Sequence, residues 1–377
     1  MLKLKTIEFS EKRESKIEYI VNPVGVMDFN LFIGDNAQGK SRFFRTLHFL
    51  SLLFSGAPNI LPTYFNAKFK FSIESDIDSV IEYELEIEPK NSYNIYNEII
   101  LKDGNKIFSK KDKILYNEVK NTNIDNFFLP ENVSAVRSII EPDFITINLI
   151  RSYFQRVIFL SANKSNSIDV NPNDYLPNIF GSNISSVMYN WKKKFNPLYN
   201  EVMYHFKECF SFIKDVKFID TPLINGQIVN MLAFKEAEIE NYINQVEWSD
   251  GIHRVLCLLL LPKIPFFHED KKNTPSLILI DEIENGLDYK TLKFVVQYLQ
   301  SHSDDSQIFI SSHSPLVCEF IKPNSWLVAK RVGKIINFIN PSEVENIENQ
   351  LELFKQEHWE MYRRHISNSE LYIKKLV

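Results

Sequence analysis

Eight consecutive residues, Gly34-Asp35-Asn36-Ala37-Gln38-Gly39-Lys40-Ser41, carry the G-x-x-x-x-G-K-S spacing of a phosphate-binding loop. Gly34 and Gly39 bound a tight turn in which the N–H groups of Asn36, Ala37, Gln38 and Gly39 can converge on an anion. The N-terminus of the helix that comes next adds partial positive charge. Lys40 supplies countercharge to β- and γ-phosphates, the Ser41 hydroxyl is a Mg²⁺ ligand, and Arg42 completes the nucleotide-facing set. A second segment, Ser276-Leu277-Ile278-Leu279-Ile280-Asp281-Glu282, is an apolar strand ending in two carboxylates. The first suits a Mg²⁺ shell and the second can take a proton from an attacking water. A third, Ile308-Phe309-Ile310-Ser311-Ser312-His313, is another apolar strand, with a histidine at its end that can touch a γ-phosphate.

These groups need elements to hold them. A strand over Asn30–Ile33 enters the loop, and a helix leaves it from Lys40 to Phe54, with Phe43, Phe44, Leu47 and Leu50 at helical spacing. Strands are expected at Leu2–Phe9, Lys16–Val21 and Arg156–Ser161. Ala67, Phe69, Phe71 and Ile73 alternate with polar residues, as do Ile81, Tyr83, Leu85 and Ile87, so an antiparallel pair is expected there. Glu82, Glu84, Glu86 and Glu88 then form a solvated strand face opposite lysines rather than a metal site. A helical pattern runs from about Asn183 to Lys214, and strand-like runs cover 216–236. After residue 250 the order is helix, strand (Ser276–Ile280), helix (Leu292–His302), strand (Gln307–Ser311) and two short strands, Trp326–Lys330 and Lys334–Ile339. Strands alternating with helices predict an α/β fold with a mainly parallel core sheet. Four units are expected: 1–163 with the loop and an antiparallel β subdomain, a helical lobe over 164–248, the rest of the core over 249–340, and a tail over 341–377. In the tail Ser342 and Glu345 form a capping box, and Val344, Ile347, Leu351, Phe354 and His358 share one helical face.

Across all 377 residues, 44% are apolar and 24% charged, which excludes a disordered or fibrous chain. The net charge of −5 argues against a protein that coats nucleic acid. Cys209, Cys257 and Cys318 have no metal-ligand spacing and read as reduced thiols of a cytoplasmic protein. The longest apolar run, Val255 to Pro262, is too short to cross a membrane.

The loop, the strand with Asp-Glu and the strand with histidine, in this order, resemble the heads of ABC-type ATPases. Within them they are most similar to the prokaryotic branch that contains RecF, the chromosome-maintenance heads and the overcoming-lysogenisation-defect (OLD) proteins. Trp248-Ser249-Asp250-Gly251-Ile252-His253-Arg254 resembles that branch's L-S-D-G-x-x-R signature. Asp281-Glu282-Ile283-Glu284-Asn285-Gly286-Leu287 resembles its D-E-P-E-N-G-L, with Asp288 in the D-loop, and Ser312-His313-Ser314-Pro315 resembles its T-H-S-P switch. The resemblance covers residues 1–50 and 245–340 and implies a P-loop NTPase head. It also implies ATP and Mg²⁺ as cofactors, Asp281 and Ser41 on the metal, and Glu282 and His313 as catalytic residues, while the missing Q-loop glutamine makes slow turnover the expectation. Ser249 and Gly251 would contact the γ-phosphate held by a second subunit, so that two or more chains assemble around ATP. Three departures stand out. Ala37-Gln38 replaces Gly-Ser, Trp248 replaces leucine, and no glutamine comes after Arg156–Ser161, leaving Asn163 as the substitute in the Q-loop position.

No heptad run long enough for a coiled-coil arm is present, and too few residues come after His313 for a Toprim nuclease. The expectation is therefore a stand-alone head that controls a separate effector, a nuclease or a toxin, as in anti-phage defence. A RecF-like DNA repair ATPase is the alternative; it would need duplex DNA binding, and the compact basic clusters Trp191-Lys192-Lys193-Lys194 and Arg363-Arg364 read first as solvated surface. A non-hydrolysing ATP-dependent scaffold is the other alternative, against which the Asp281-Glu282 pair speaks. A transporter head is disfavoured by the missing glutamine and membrane segment.

Overall fold

The computed structural model describes residues 2–13, 18–55, 65–75, 79–89, 93–125, 127–161, 184–222, 228–268 and 271–343. Asn163, the first part of the expected helical lobe (164–183) and nearly all of the expected tail helix lie outside these residues.

Short runs such as Leu277–Ile280 and Phe29–Ile33 are buried along their whole length. Continuous apolar strands of this kind are covered on both faces, as parallel sheets require. They form the centre of a fourteen-stranded sheet. Its first five strands run parallel in the order Val157–Leu160, Leu277–Ile280, Gln307–Ser312, Phe29–Ile33 and Trp326–Val332. Ile335–Ile339 returns antiparallel and lies parallel to Glu18–Gly25. From there Lys3–Arg13, Phe65–Glu74, Val80–Pro89, Tyr93–Lys102 and Asn105–Ser109 add antiparallel strands to the same sheet, and short strands close the edge. The antiparallel part is thus an extension of the core sheet.

Period-2 alternation divides the core into two layers. Phe32, Leu277, Leu279 and Phe309 face the helix Lys40–Ser55, where Phe43, Phe44, Leu47 and Leu50 are buried. The Phe32 ring lies 5.0 Å from Phe43, 5.1 Å from Phe44 and 5.2 Å from Phe338. Leu31, Ile33, Ile278, Ile280, Ile308 and Ile310 face the other way, toward the helices Asp250–Leu260 and Tyr289–Gln300. In the antiparallel strands Lys68 stands opposite Glu86 and Lys70 opposite Glu84. Their ion pairs, at 2.6 and 2.8 Å, make this the solvated face expected of the glutamate row.

Beyond the sheet, helices Ile184–Lys194 and Asn196–Cys209 pack on a three-stranded sheet of Ile213–Pro222, Ile228–Glu236 and Ile243–Asn244. The helical pattern expected up to Lys214 therefore stops early. Ile213–Pro222 is a strand because it pairs along its length with Ile228–Glu236, a long-range partner that local periodicity does not report.

Candidate functional site

Strands Phe29–Ile33, Leu277–Ile280 and Gln307–Ser312 are parallel and adjacent, so the turns leaving their C-terminal ends gather at one edge, where α/β sheets bind ligands. Gly34 leaves the first strand at φ +138°, and a Cβ there would lie 2.9 Å from the Ala329 carbonyl oxygen. Gly39 has φ +103°, and a Cβ on it would meet Ile336 Cδ1 at 2.5 Å. Both positions therefore demand glycine. Ala37 adopts a left-handed φ of +63° without that freedom. The loop is also held from outside. Gln38 Oε1 accepts a bond from the Arg331 N–H at 2.7 Å, and Arg331 Nη1 donates to the Ala37 carbonyl at 3.4 Å.

Lys40 is 3% exposed and its Nζ donates to the carbonyls of Gly34 (2.5 Å) and Asp35 (3.0 Å). Burial pulls its pKa down to about 8, against the opposing pull of Asp281, Glu284, Asp35 and Glu282. Nζ also lies 3.2 Å from His313 Nδ1, joining the loop to the end of the third strand. Ser41 Oγ donates to Asp281 Oδ1 at 3.1 Å, and Ser311 Oγ donates to the same oxygen at 2.6 Å. Asp281 is buried at the strand end.

Glu282 is left-handed at φ +49°, a conformation that costs a residue with a Cβ about 1 kcal/mol or more and that clusters at functional sites. It is stabilised on several sides. Its N–H donates to Ser311 Oγ at 2.9 Å, and Asn285 Nδ2 donates to Glu282 Oε2 at 2.7 Å. Arg254 Nη2 donates to the carbonyls of Asp281 (3.1 Å) and Glu282 (2.8 Å). Glu282 Oε1 lies 3.9 Å from His313 Nε2. The structure thus brings together Gly34, Gly39, Lys40, Ser41, Asp281, Glu282 and His313.

The other expected site residues make contacts of their own. Arg42 forms an ion pair with buried Glu11 and lies over the Tyr19 ring at 3.5 Å. Arg331 approaches that ring at 4.8 Å. Ser249 is exposed and caps the helix Asp250–Leu260, its side chain accepting from the Ile252 N–H. Gly251 is pressed against the turn after Asp281, where a Cβ would lie 2.4 Å from the Gly286 oxygen. Asp288 caps the helix Tyr289–Gln300, accepting from the Thr291 N–H and hydroxyl. Asn36 is exposed on the loop. Sequence reasoning missed Ser311, Glu284, Asn285 and Arg331 as parts of the site. The first three lie inside the strand-end motifs, so motif position was the available signal; Arg331 had none.

Among the described residues no group of three or more His, Cys, Asp and Glu side chains could hold a metal ion. Ser41 and Asp281 nonetheless fit Mg²⁺, which commonly takes one or two protein oxygens and completes its shell with phosphate and water. No helix among the described residues is long and apolar enough to cross a membrane.

The fold and the loop are those of a P-loop NTPase. A chromosome-maintenance (Smc) head, described as bound to the C-winged helix domain of ScpA, superposes with a TM-score of 0.51 at 13% identity, covering 89% of this chain and 97% of that one. The Smc head domain from Thermotoga maritima gives 0.45 at 10% identity, over 90% of this chain and 98% of that one. The Smc head with an extended coiled coil, bound to a ScpA domain derived from Pyrococcus furiosus, gives 0.48 at 11%, over 93% and 100%. The likeness that exceeds 0.5 shows the shared fold. No curated protein matches the sequence significantly. The chain belongs to the family described as "AAA domain, putative AbiEii toxin, Type IV TA system", whose model matches residues 29–319.

Proposed function

We propose that this protein binds ATP with Mg²⁺ at the Gly34–Ser41 loop, hydrolyses it slowly, and assembles around it as a dimer or higher oligomer. The observation that carries the proposal is the convergence of Lys40, Asp281, Glu282 and His313 from three strand ends, with Lys40 Nζ 3.2 Å from His313 and Ser41 3.1 Å from Asp281. Lys40 now rests on two neutral carbonyls, and exchanging these for phosphate oxygens gives it charge-assisted partners. Ser41 and Asp281 would hold Mg²⁺, which supplies charge neutralisation across the phosphates. Glu282, its carboxylate oriented by Asn285, accepts the proton of the attacking water, and His313 polarises the γ-phosphate side.

An exposed signature Ser249 at a helix N-terminus supports a contact in trans, since that end is open to a second subunit. Asp288 and Gly251 would face the same interface, and Asn163 would serve as the Q-loop residue. Control of a separate effector in anti-phage defence is part of the proposal; the family's description names a putative toxin of a Type IV TA system, which supports a toxin–antitoxin setting and says nothing of a separate effector. The test is nucleotide-dependent assembly. Light scattering with Mg²⁺ and ATP should show a mass increase in the wild type and none in Lys40→Ala. An increase in both, or phosphate release unaffected by Lys40→Ala, would contradict the proposal.

A further inference from the structure

We infer that Glu284 is a positioning residue that fixes His313 against Lys40 and Glu282, an inference that rests on His313 acting at the ATPase site proposed above. Glu284 lies in the turn after Asp281-Glu282, and its Oε1 accepts from the main-chain N–H of His313 at 2.6 Å and of Ser314 at 3.1 Å. One carboxylate oxygen thus ties the strand end that bears the histidine to the turn that bears the base. The tie spans two adjacent parallel strands, Leu277–Ile280 and Gln307–Ser312. The His313 side chain is 31% exposed, and its own described partners are Lys40 Nζ at 3.2 Å and Glu282 Oε1 at 3.9 Å. Its placement therefore depends on where its main chain is held.

The turn that supplies the tie is fixed in its own right. Arg254 donates to the carbonyls of Asp281 and Glu282, and Gly286 packs directly on Gly251. The signature helix, the carboxylate turn and the histidine are therefore mechanically continuous within one chain, and Glu284 is the final connection. Its Oε2 is buried with no hydrogen-bond partner among the described residues, so the carboxylate is held by one oxygen alone.

The test uses the full chain with MgATP. Glu284→Ala removes both acceptor bonds, so kcat should fall roughly 10–100-fold, the usual effect of a misplaced reacting group, with KM for ATP changing less than about 2-fold. Glu284→Gln keeps an acceptor oxygen at the same reach and should restore kcat to within a few-fold of wild type. In a His313→Ala background, Glu284→Ala should cost nothing more, because residues that act through one another are not additive. The His313 imidazole resonance in a ¹H–¹³C spectrum should move in Glu284→Ala and return in Glu284→Gln. If Glu284→Ala fails to fold, Glu284→Asp, one methylene too short for both bonds, replaces it with the same expectations. A full additional loss in the His313→Ala background, or an unmoved His313 resonance in Glu284→Ala, would overturn the inference. A His313→Ala variant that hydrolyses ATP at the wild-type rate would instead overturn the proposed function, and the resonance would still decide whether Glu284 holds the histidine.

Discussion

Lys40 makes nucleotide affinity depend on pH in a direction that can be worked out in advance. Burial lowers its pKa in the free protein to about 8 from 10.5. A bound polyphosphate needs the ammonium form and raises that pKa again. Affinity should then scale with the protonated fraction of the free protein. This fraction is about 0.9 at pH 7 and about 0.1 at pH 9, so Kd for MgATP should rise about 10-fold over that range. The terminal phosphate is itself largely ionised above pH 7 and contributes little to the change. Calorimetry at pH 9 in two buffers of different ionisation enthalpy should report close to one proton taken up per nucleotide. The stability of the free protein has the opposite sign. With its folded pKa depressed, Lys40 penalises folding below about pH 8, and stability should grow as pH rises from there toward 10.5. A Kd unchanged between pH 7 and 9 with no proton uptake, in protein shown to remain folded, would exclude Lys40 as the main countercharge of the bound phosphates.

Gly39→Ala places a Cβ at φ +103° against Ile336 and should cost about 1–3 kcal/mol of stability, read from urea unfolding, and abolish nucleotide binding. Phe32→Ala, fully buried among Phe43, Phe44, Phe309 and Phe338, should cost about 3–5 kcal/mol in the same assay. Ser249→Arg should spare nucleotide binding to a single chain yet stop turnover. Mixed with Lys40→Ala, it forms one intact composite site, so activity should reappear in the mixture. Silence after demonstrated subunit exchange would place the signature's action within its own chain or require both sites to fire together.

The loop and the two strand ends were readable from sequence because each rests on local rules. Gly34 and Gly39 mark positions of positive φ, and apolar runs ending in Asp281 or next to His313 mark buried strands reaching a sheet edge. The contacts that join them were not readable, because they depend on register between distant segments. Nothing near Arg331 in sequence says that its N–H meets Gln38, nearly three hundred residues away. The same applies to the Glu284 bonds to His313 and Ser314, which arise from the pairing of Ile280 with Ile310. Alternation revealed the strands Phe65–Glu74 and Val80–Pro89, but not Tyr93–Lys102 or Asn105–Ser109, nor that the antiparallel strands continue the parallel sheet through Ile335–Ile339 and Glu18–Gly25. The strand Ile213–Pro222 was read partly as helix because its pattern is carried by a partner strand rather than by its own sequence.

On the proposed function, Glu282 is the base of a working MgATP site. Glu282→Gln keeps the side chain's size and its capacity to accept from Asn285 while removing its basicity. Single-turnover hydrolysis should fall roughly 10²–10⁴-fold, the usual contribution of a general base, while MgATP affinity stays within a few-fold of wild type. Hydrolysis at the wild-type rate in this variant, with nucleotide demonstrably bound, would contradict the claim.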